Sequence, residues 1–345
     1  MNWSIKNSIK KIISKKNIRN LQKIKRSFAE IVGLRTFHVL IDTNNCCNLS
    51  CSFCTRENGE IIRMSSDEFS SVLNKIHKKT LSLQLSCAWE YSFAKNASEL
   101  IRILGEYKIP KTTVYSNGNI LSSDLIDALI SSKINNYVVS IGEAKKDTYE
   151  KLRKGGNFER VIKNIKNLKS AKINQNSKLP KICANLTVTE TNIKELLDFV
   201  SLAKEIGIEE IRGRHLILNK KLNIDQEVIK DIDKANKIIS DARIKAKSFG
   251  IGFDVPIYQM EHNKKDCVAP WQQLYISSNG NVSVCPRIHM YENIGNILNS
   301  NLRKIERGEK LYQFRNKFEI QNYNNPVCQI CNENKESEIP IDQGF

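Results

Sequence analysis

Apolar and polar positions follow a regular order between residues 37 and 214. Six runs rich in β-branched and apolar residues are typical of buried strands: 37–43, 81–86, 111–116, 135–141, 181–188 and 208–214. The segments between them have the spacing of amphipathic helices: 66–79, 98–107, 122–131, 158–170 and 193–206. This alternation predicts parallel strands joined by right-handed crossovers. Its span is shorter than the about 250 residues of a closed eight-stranded barrel. We therefore expect an α/β fold with a partial (β/α)6 barrel.

The pattern changes after a long helical stretch at about residues 225–248. A strand-like run begins near Ile251, and two alternating runs then flank Asn279-Gly280, a strong hairpin signal. These features predict a small C-terminal α+β domain. We expect a boundary between a barrel at 37–255 and this domain at 256–345, with residues 1–36 as a separate N-terminal segment.

Charge is concentrated in that N-terminal segment. The chain has 54 Lys and Arg against 37 Asp and Glu, and residues 1–36 hold ten basic residues and one acidic residue. Isoleucines and leucines recur there at helical spacing, which predicts a basic amphipathic segment. It could pack its apolar stripe on the main domain or lie on an anionic membrane surface. No aromatic or Gly-rich signature accompanies the charge, so we expect no nucleic-acid partner.

The apolar runs are too short for a membrane span, which needs roughly 18 residues or more. The N-terminus also lacks the apolar core of a secretory signal, so we expect a cytoplasmic protein, with contact at the inner membrane face left open. Ten cysteines in a reducing compartment then point to metal or cluster ligation rather than to a disulfide framework.

The first cysteine group lies directly after the first predicted strand. Cys47, Cys51 and Cys54 have the spacing C-x3-C-x2-C, and Phe53 precedes the last of them. Three thiolates can hold three irons of a cubane and leave the fourth open to a ligand. This motif and its place after the strand resemble the radical S-adenosylmethionine (SAM) superfamily. Zinc or plain structural thiols are the alternatives.

Further matches to this superfamily follow the next strands. The stretch ending in Glu90 resembles the motif whose glutamate receives the SAM amino group, although Trp89 and Tyr91 depart from the usual small residues. Asn117 lies in an Asn-Gly turn that resembles one in the family, and it could equally be a plain β-α turn.

The stretch from Ser140 to Gly156 resembles another family pattern. The resemblance implies that Ser140 and Arg153 bind the SAM carboxylate or ribose, and a guanidinium suits a carboxylate. Gly142 stands where the family pattern usually has Asp, so no role is assigned to Gly142. We expect Glu143 at a surface turn.

The second cysteine group comprises Cys267, Cys285, Cys328 and Cys331. With the hairpin between them, these residues resemble the SPASM/Twitch extension of radical SAM enzymes, in its shorter Twitch form. The resemblance implies an auxiliary [4Fe-4S] cluster with no open iron, while a tetrahedral zinc site is the alternative. Cys46, Cys87 and Cys183 are interpreted as packed residues.

Together these matches imply a radical SAM oxidoreductase with SAM and two [4Fe-4S] clusters as cofactors. We expect cleavage of SAM to a 5'-deoxyadenosyl radical that oxidises a small hydroxylated, carbohydrate-like substrate. Flavodoxin or ferredoxin is the expected type of electron donor. Maturation of a peptide or protein is the alternative, and a zinc- or cluster-bearing interaction protein without catalysis is the alternative of another class.

Candidates for proton transfer are Asp254 and His215. Each lies at the end of a strand-like run, where a parallel sheet collects its chemistry. A polar residue at the rim of the barrel is the competing interpretation for both.

Overall fold

The computed structural model describes residues 37–54, 56, 59–216, 227–258, 267, 269–319 and 328. The basic N-terminal segment, Cys331 and residues 225–226 lie outside these residues. The long helix predicted to begin at about residue 225 begins at Ile232 instead, because Asp231 caps it.

The six strands of the predicted barrel are present and parallel, and the strand-like run near Ile251 adds a seventh. They are β1 (Phe37–Ile41), β3 (Thr80–Leu85), β4 (Lys111–Ser116), β5 (Asn136–Val139), β7 (Lys181–Val188), β8 (Glu210–His215) and β9 (Gly252–Asp254). They form one sheet in the order β1-β3-β4-β5-β7-β8-β9. The edge strands of the sheet do not pair with each other in the described part of the chain, so the barrel is open, as predicted.

Helices connect these strands. They are α1 (Ser66–Ile76), α2 (Ala97–Glu106), α3 (Ser123–Ser131), α4 (Lys146–Leu152), α5 (Phe158–Asn174), α6 (Leu196–Ile206) and α7 (Ile232–Ser248). Local chemistry sets their ends. Ser65 and Glu68 form a capping box at the start of α1, and the side chain of Asp231 accepts a hydrogen bond from the backbone of Lys234 in α7.

The C-terminal part joins the same sheet. After α8 (Ala269–Gln272), β10 (Gln273–Ile276) pairs parallel with β1, and the predicted hairpin is confirmed as β10 and β11 (Asn281–Ser283). The strand β12 (Gly295–Asn296) closes this edge, and α9 (Leu302–Glu306) and α10 (Glu309–Glu319) follow. The sequence did not predict that β10 would extend the barrel sheet.

A second, two-stranded sheet was also not predicted. It pairs β2 (Ser50–Cys51) antiparallel with β6 (Arg153–Lys154). Both strands have only two residues, which is too short for a period-2 pattern to reveal.

Alternate residues of the parallel strands face opposite sides of the sheet. One side packs on the helices through residues such as Val114, Val139, Ala184 and Ile211. The other side, which we call the inner face, carries Tyr115, Val138 and Cys183 as a separate small apolar cluster. The register continues this row to Glu210 on β8.

Candidate active site

The cysteine loop follows β1 at the carboxyl edge of the sheet. Its middle is held by β2, in which Cys51 pairs with Arg153 of β6. The amide of Ser52 also donates to the carbonyl of Leu152 at 2.9 Å, and the amide of Cys54 donates to the carbonyl of Cys51 at 3.0 Å. The loop is therefore fixed to the segment around Arg153, more than 100 residues later in the chain.

Donors and cations surround the three thiols. The Nε of Arg56 donates to the Sγ of Cys54 at 2.7 Å, and the Nδ2 of Asn117 lies 3.8 Å from the Sγ of Cys47. Burial raises the pKa of the Cys51 thiol, and the Arg153 guanidinium opposes that rise. Cys47 and Cys54 are close enough to add to the rise. The loop thus places three thiols as electrostatic neighbours beside two guanidinium groups.

Arg153 is buried and ion-paired. Its side chain is 4% exposed, and its Nε lies 3.2 Å from the Oε2 of Glu143, whose side chain is completely buried. The prediction that Glu143 is a surface turn residue is wrong. A buried guanidinium needs a counter-charge, and Glu143 supplies it. The rings of Phe53 and Tyr149 lie 5.3 and 5.8 Å from the same guanidinium carbon.

Glu90 joins the ends of β3 and β4. Its carboxylate is buried and accepts hydrogen bonds from Ser92 Oγ at 2.6 Å, Ser116 Oγ at 2.9 Å and the Asn117 amide at 2.6 Å. Burial raises the pKa of Glu90, and these hydrogen bonds oppose the rise. These bonds fix the orientation of the carboxylate beside the turn that holds Asn117. The role of Glu90 toward a SAM amino group stays a prediction.

Asn117 and Ser140 lie beside the cysteine loop. The Nδ2 of Asn117 donates to Asn48 of that loop at 2.8 Å. Ser140 is half-buried, and its amide donates to the carbonyl of Ser116 at 2.8 Å. The structure therefore brings the predicted cofactor-binding residues Phe53, Glu90, Asn117, Ser140 and Arg153 to one edge of the sheet, next to the predicted cluster ligands.

The two proton-transfer candidates face opposite sides of the sheet. Asp254 pairs in register with Arg212 on the inner face, and burial together with nearby Glu210 raises its pKa. His215 instead stacks on Tyr258 with ring centroids 3.5 Å apart, and its Nε2 lies 2.8 Å from the carbonyl of Pro256. Burial lowers the pKa of His215. Only Asp254 shares the inner face with Arg212, and the catalytic roles of both residues stay predictions.

A buried carboxylate that sequence reasoning missed lies at the start of the loop. Asp42 is 1% exposed and accepts hydrogen bonds from the amide of Cys87 at 2.7 Å and the hydroxyl of Tyr275 at 2.9 Å. Burial raises its pKa, and these bonds oppose the rise. An acidic residue at the end of an apolar strand was the available signal.

The late cysteines are described only in part. Cys267, Cys285 and Cys328 are half-buried, and Cys285 and Cys328 pack against the main core. Cys331 lies outside the described residues, so the four-cysteine ligand set stays a prediction.

The early thiols suit a cubane by their chemistry. In the described part of the chain, no three His, Cys, Asp or Glu side chains surround the position of a single metal ion. A cubane does not require three side chains around one metal position, because each thiolate binds a different iron atom of the cluster. Cys47, Cys51 and Cys54 supply soft ligands on one loop, and Arg56 and Arg153 supply positive charge against a thiolate cluster.

Comparison with protein families agrees with this arrangement. Residues 41–203 match the Radical SAM superfamily, and residues 267–332 match an iron-sulfur cluster-binding domain, SPASM. The first match contains the early cysteines, Glu90 and Arg153, and the second contains the late cysteines. These two domains imply SAM and two [4Fe-4S] clusters as cofactors.

Individual relatives are distant. A probable GTP 3',8-cyclase of Methanocaldococcus jannaschii is 26% identical over 58% of this chain and 67% of its own length. The sporulation killing factor maturation protein SkfB of Bacillus subtilis is 26% identical over 80% of this chain and 66% of its own length. The chain thus spans about two thirds of the length of these relatives.

Among solved structures, SuiB of Streptococcus suis has the same fold. It superimposes with a TM-score of 0.69 at 18% identity, over 87% of this chain and 73% of SuiB. SuiB has also been determined with S-adenosylmethionine and with its precursor peptide SuiA. No helix in the described ranges of the present chain is long and apolar enough to cross a membrane.

Proposed function

Since the chain is a radical SAM enzyme with a SPASM-type C-terminal domain, we propose that it modifies a peptide or protein substrate. The radical SAM part of this proposal rests on the joint placement of the thiol loop, Glu90 and Arg153 at one carboxyl edge of an open barrel. SkfB, a maturation protein, and SuiB, which binds a precursor peptide, support the peptide class.

Each residue of the site has a proposed task. Cys47, Cys51 and Cys54 hold the first cluster, and Arg56 donates to one of these sulfurs. Glu90 orients the SAM amino group, because its carboxylate is fixed by three donors from the protein. Phe53 and Arg153 form the adjoining wall of the SAM site.

Further residues complete the proposed SAM site. Arg153 and Ser140 contact the SAM carboxylate or ribose, and Glu143 holds the Arg153 side chain in place. Asn117 braces the cysteine loop through Asn48. The open inner face of the barrel is where the substrate would lie.

The chemistry that the cluster and SAM supply when bound is reductive cleavage of SAM and removal of a substrate hydrogen atom by the resulting 5'-deoxyadenosyl radical. The task of the protein is to position that hydrogen atom and to keep solvent from the radical. We propose that Cys267, Cys285, Cys328 and Cys331 hold the auxiliary cluster and that an external flavodoxin or ferredoxin supplies electrons.

The relatives favour a peptide over the small hydroxylated substrate that the sequence suggested first. SkfB matches 80% of this chain, whereas the GTP 3',8-cyclase matches 58% of it. The relatives include cyclases and peptide-modifying enzymes, so the reaction need not be a simple oxidation.

The test compares two adjacent cysteines. Anaerobically reconstituted protein with SAM and a reductant should form 5'-deoxyadenosine, and Cys51→Ala should abolish this product. Cys46→Ala is the matched control, because Cys46 neighbours the motif without belonging to it, and it should retain product formation. Persistent 5'-deoxyadenosine formation by Cys51→Ala would refute the assignment. An interaction protein without catalysis would form none even in the wild type.

The substrate class needs a second measurement. A panel of short peptides and a panel of small polyols should be compared for stimulation of 5'-deoxyadenosine formation and for a change in substrate mass. Stimulation and mass change confined to peptides support the proposal. Stimulation and mass change confined to polyols would contradict the proposal and support oxidation of small hydroxylated substrates.

A further inference from the structure

The inner face near β8 is rich in cations. Lys181 and Arg212 both bind Glu210, with Nζ and Nε each 2.6 Å from a carboxylate oxygen. Although burial opposes it, these contacts lower the pKa of Glu210 to about 2, so the carboxylate is ionised. Arg214 adds a third cation, and Asp254 adds a second carboxylate, on which Arg243 also acts electrostatically.

Arg212 has donor capacity that the described protein does not use. Its Nε binds Glu210, but its Nη1 is buried and has no hydrogen-bond partner among the described residues. A buried guanidinium N–H without an acceptor is unfavourable, and such groups are rare in folded proteins. The donor is therefore available to a ligand on the inner face.

Neighbouring side chains place this donor within the proposed site. Burial raises the pKa of Tyr115, three strands away, and the charges of Arg214 and Arg212 together with a hydrogen bond from Arg212 oppose that rise, so both guanidinium groups project over the inner face. In the sheet register Arg212 lies between Asn185 on β7 and Asp254 on β9. Ser140 directly follows Val139, which pairs with Ala184, the residue before Asn185. Arg214 is exposed one row closer to the carboxyl edge.

We propose that Arg212, assisted by Arg214, binds a carboxylate of the substrate, which makes an Asp or Glu side chain near the reacting residue the feature that this enzyme selects. This inference rests on the proposed peptide function. A guanidinium binds a carboxylate through parallel N–H groups, and Arg214 adds positive charge at the open side of the site.

SAM also carries a carboxylate, but the proposed position of the SAM carboxylate is distant from Arg212 along the sheet. We have placed the SAM amino group at Glu90, after β3, and β8 lies four strands from β3. Four strand spacings are about 19 Å along the sheet. The amino and carboxylate groups of SAM share one carbon atom, so a SAM molecule anchored at Glu90 holds its carboxylate nearer to the end of β3 than to β8, which favours the substrate as the partner of Arg212.

The test measures binding to the SAM-loaded holoenzyme. The probes are the blocked tripeptides acetyl-Ala-Glu-Ala-amide and acetyl-Ala-Gln-Ala-amide, titrated by calorimetry or by saturation-transfer NMR. The variants are Arg212→Gln, Arg212→Lys and Arg214→Gln. Arg160→Gln is the matched control, because Arg160 is exposed on α5 at the outer surface.

We expect the wild type and Arg160→Gln to bind the Glu peptide about tenfold more tightly than the Gln peptide, as one charge-assisted contact implies. Arg212→Gln should lose this preference, Arg212→Lys should retain part of it, and Arg214→Gln should weaken it. If Arg212→Gln fails to fold, the Lys variant and the exposed Arg214 variant still decide the question.

Three results would overturn the inference: equal affinity of the wild type for the two peptides, no binding of the Glu peptide, or an unchanged preference in the Arg212 and Arg214 variants. If Arg212→Gln instead weakens SAM binding about tenfold and leaves peptide preference intact, the carboxylate is that of SAM. Failure of 5'-deoxyadenosine formation in the wild type is a separate result, which would overturn the proposed function.

Discussion

The carboxylate of Asp42 accepts a hydrogen bond from the hydroxyl of Tyr275, 233 residues later in the chain, at 2.9 Å. Asp42 immediately follows β1, and Tyr275 lies in β10. The same carboxylate accepts from the amides of Cys87 and Ala88, in the loop that leads to Glu90. One buried side chain therefore joins the start of the cysteine loop, the Glu90 loop and the strand of the C-terminal domain.

Replacement of Tyr275 by Phe should destabilise the protein by about 1–3 kcal/mol, because it removes a donor from a buried carboxylate. The effect should depend on pH. The folded pKa of Asp42 already lies above the ordinary 3.8 because of burial, and the Tyr275 hydroxyl restrains it. Loss of that donor raises the pKa further. The folded variant then binds protons at a higher pH than the wild type.

The destabilisation by Tyr275→Phe should consequently grow as pH rises above 3.8 through the folded pKa of Asp42. The reason is that the Tyr275 hydrogen bond stabilises the ionised carboxylate of Asp42 more than the protonated one. Urea unfolding followed by circular dichroism, at several pH values, measures this difference. A destabilisation independent of pH would show that the hydroxyl acts on packing alone.

Replacement of Glu143 by Gln should destabilise the protein by about 3–5 kcal/mol, because it leaves the buried Arg153 guanidinium without its counter-charge. The exposed pair of Lys146 and Glu159, 2.8 Å apart, is the matched control. Lys146→Gln should change the free energy of unfolding by about 1 kcal/mol or less. Similar effects of the two substitutions would contradict the structural role assigned to Glu143.

Replacement of Arg56 by Gln should shift the reduction potential of the first cluster to a more negative value. The guanidinium donates to Cys54, and positive charge with hydrogen bonds at sulfur favours the reduced state. We expect a shift on the order of tens of millivolts, measured by potentiometric titration with electron paramagnetic resonance. Arg63→Gln, at an exposed position, should leave the potential unchanged. A positive shift in Arg56→Gln would exclude this role.

Removal of Cys328 and Cys331 should reduce the iron content from about eight to about four per chain, while 5'-deoxyadenosine formation persists. The metal analysis should include zinc and sulfide in both proteins. If the wild type instead holds about four irons and one zinc, and the double substitution removes the zinc, the late cysteines bind zinc and the chain has no auxiliary cluster.

The sequence predicted the elements whose chemistry is local. The strands of the barrel follow from short apolar runs, and the hairpin follows from Asn279-Gly280. The cysteine loop was located because its spacing lies within eight residues and directly after β1.

Relationships between distant segments were beyond this reasoning. The pairing of Cys51 with Arg153 involves two-residue strands, and the burial of Glu143 depends on the position of Arg153 in the folded chain. A carboxylate in a turn is usually exposed, so the place of Glu143 in a predicted turn assigned it to the surface. His215 was predicted as a candidate for proton transfer, and only the strand register shows that it lies on the side opposite Arg212, against Tyr258.

The parallel pairing of β10 with β1 has a consequence for dissection of the chain. A fragment that ends near residue 255 would lack β10, so β1 would become an edge strand. The backbone amide and carbonyl groups of β1 would lose their partners, and the apolar side chains of Val39, Leu40 and Ile41 lie along that edge. Exposed apolar edges of this kind template pairing with other chains. The predicted boundary at 255 is therefore a poor place to cut, since the isolated barrel would tend to aggregate.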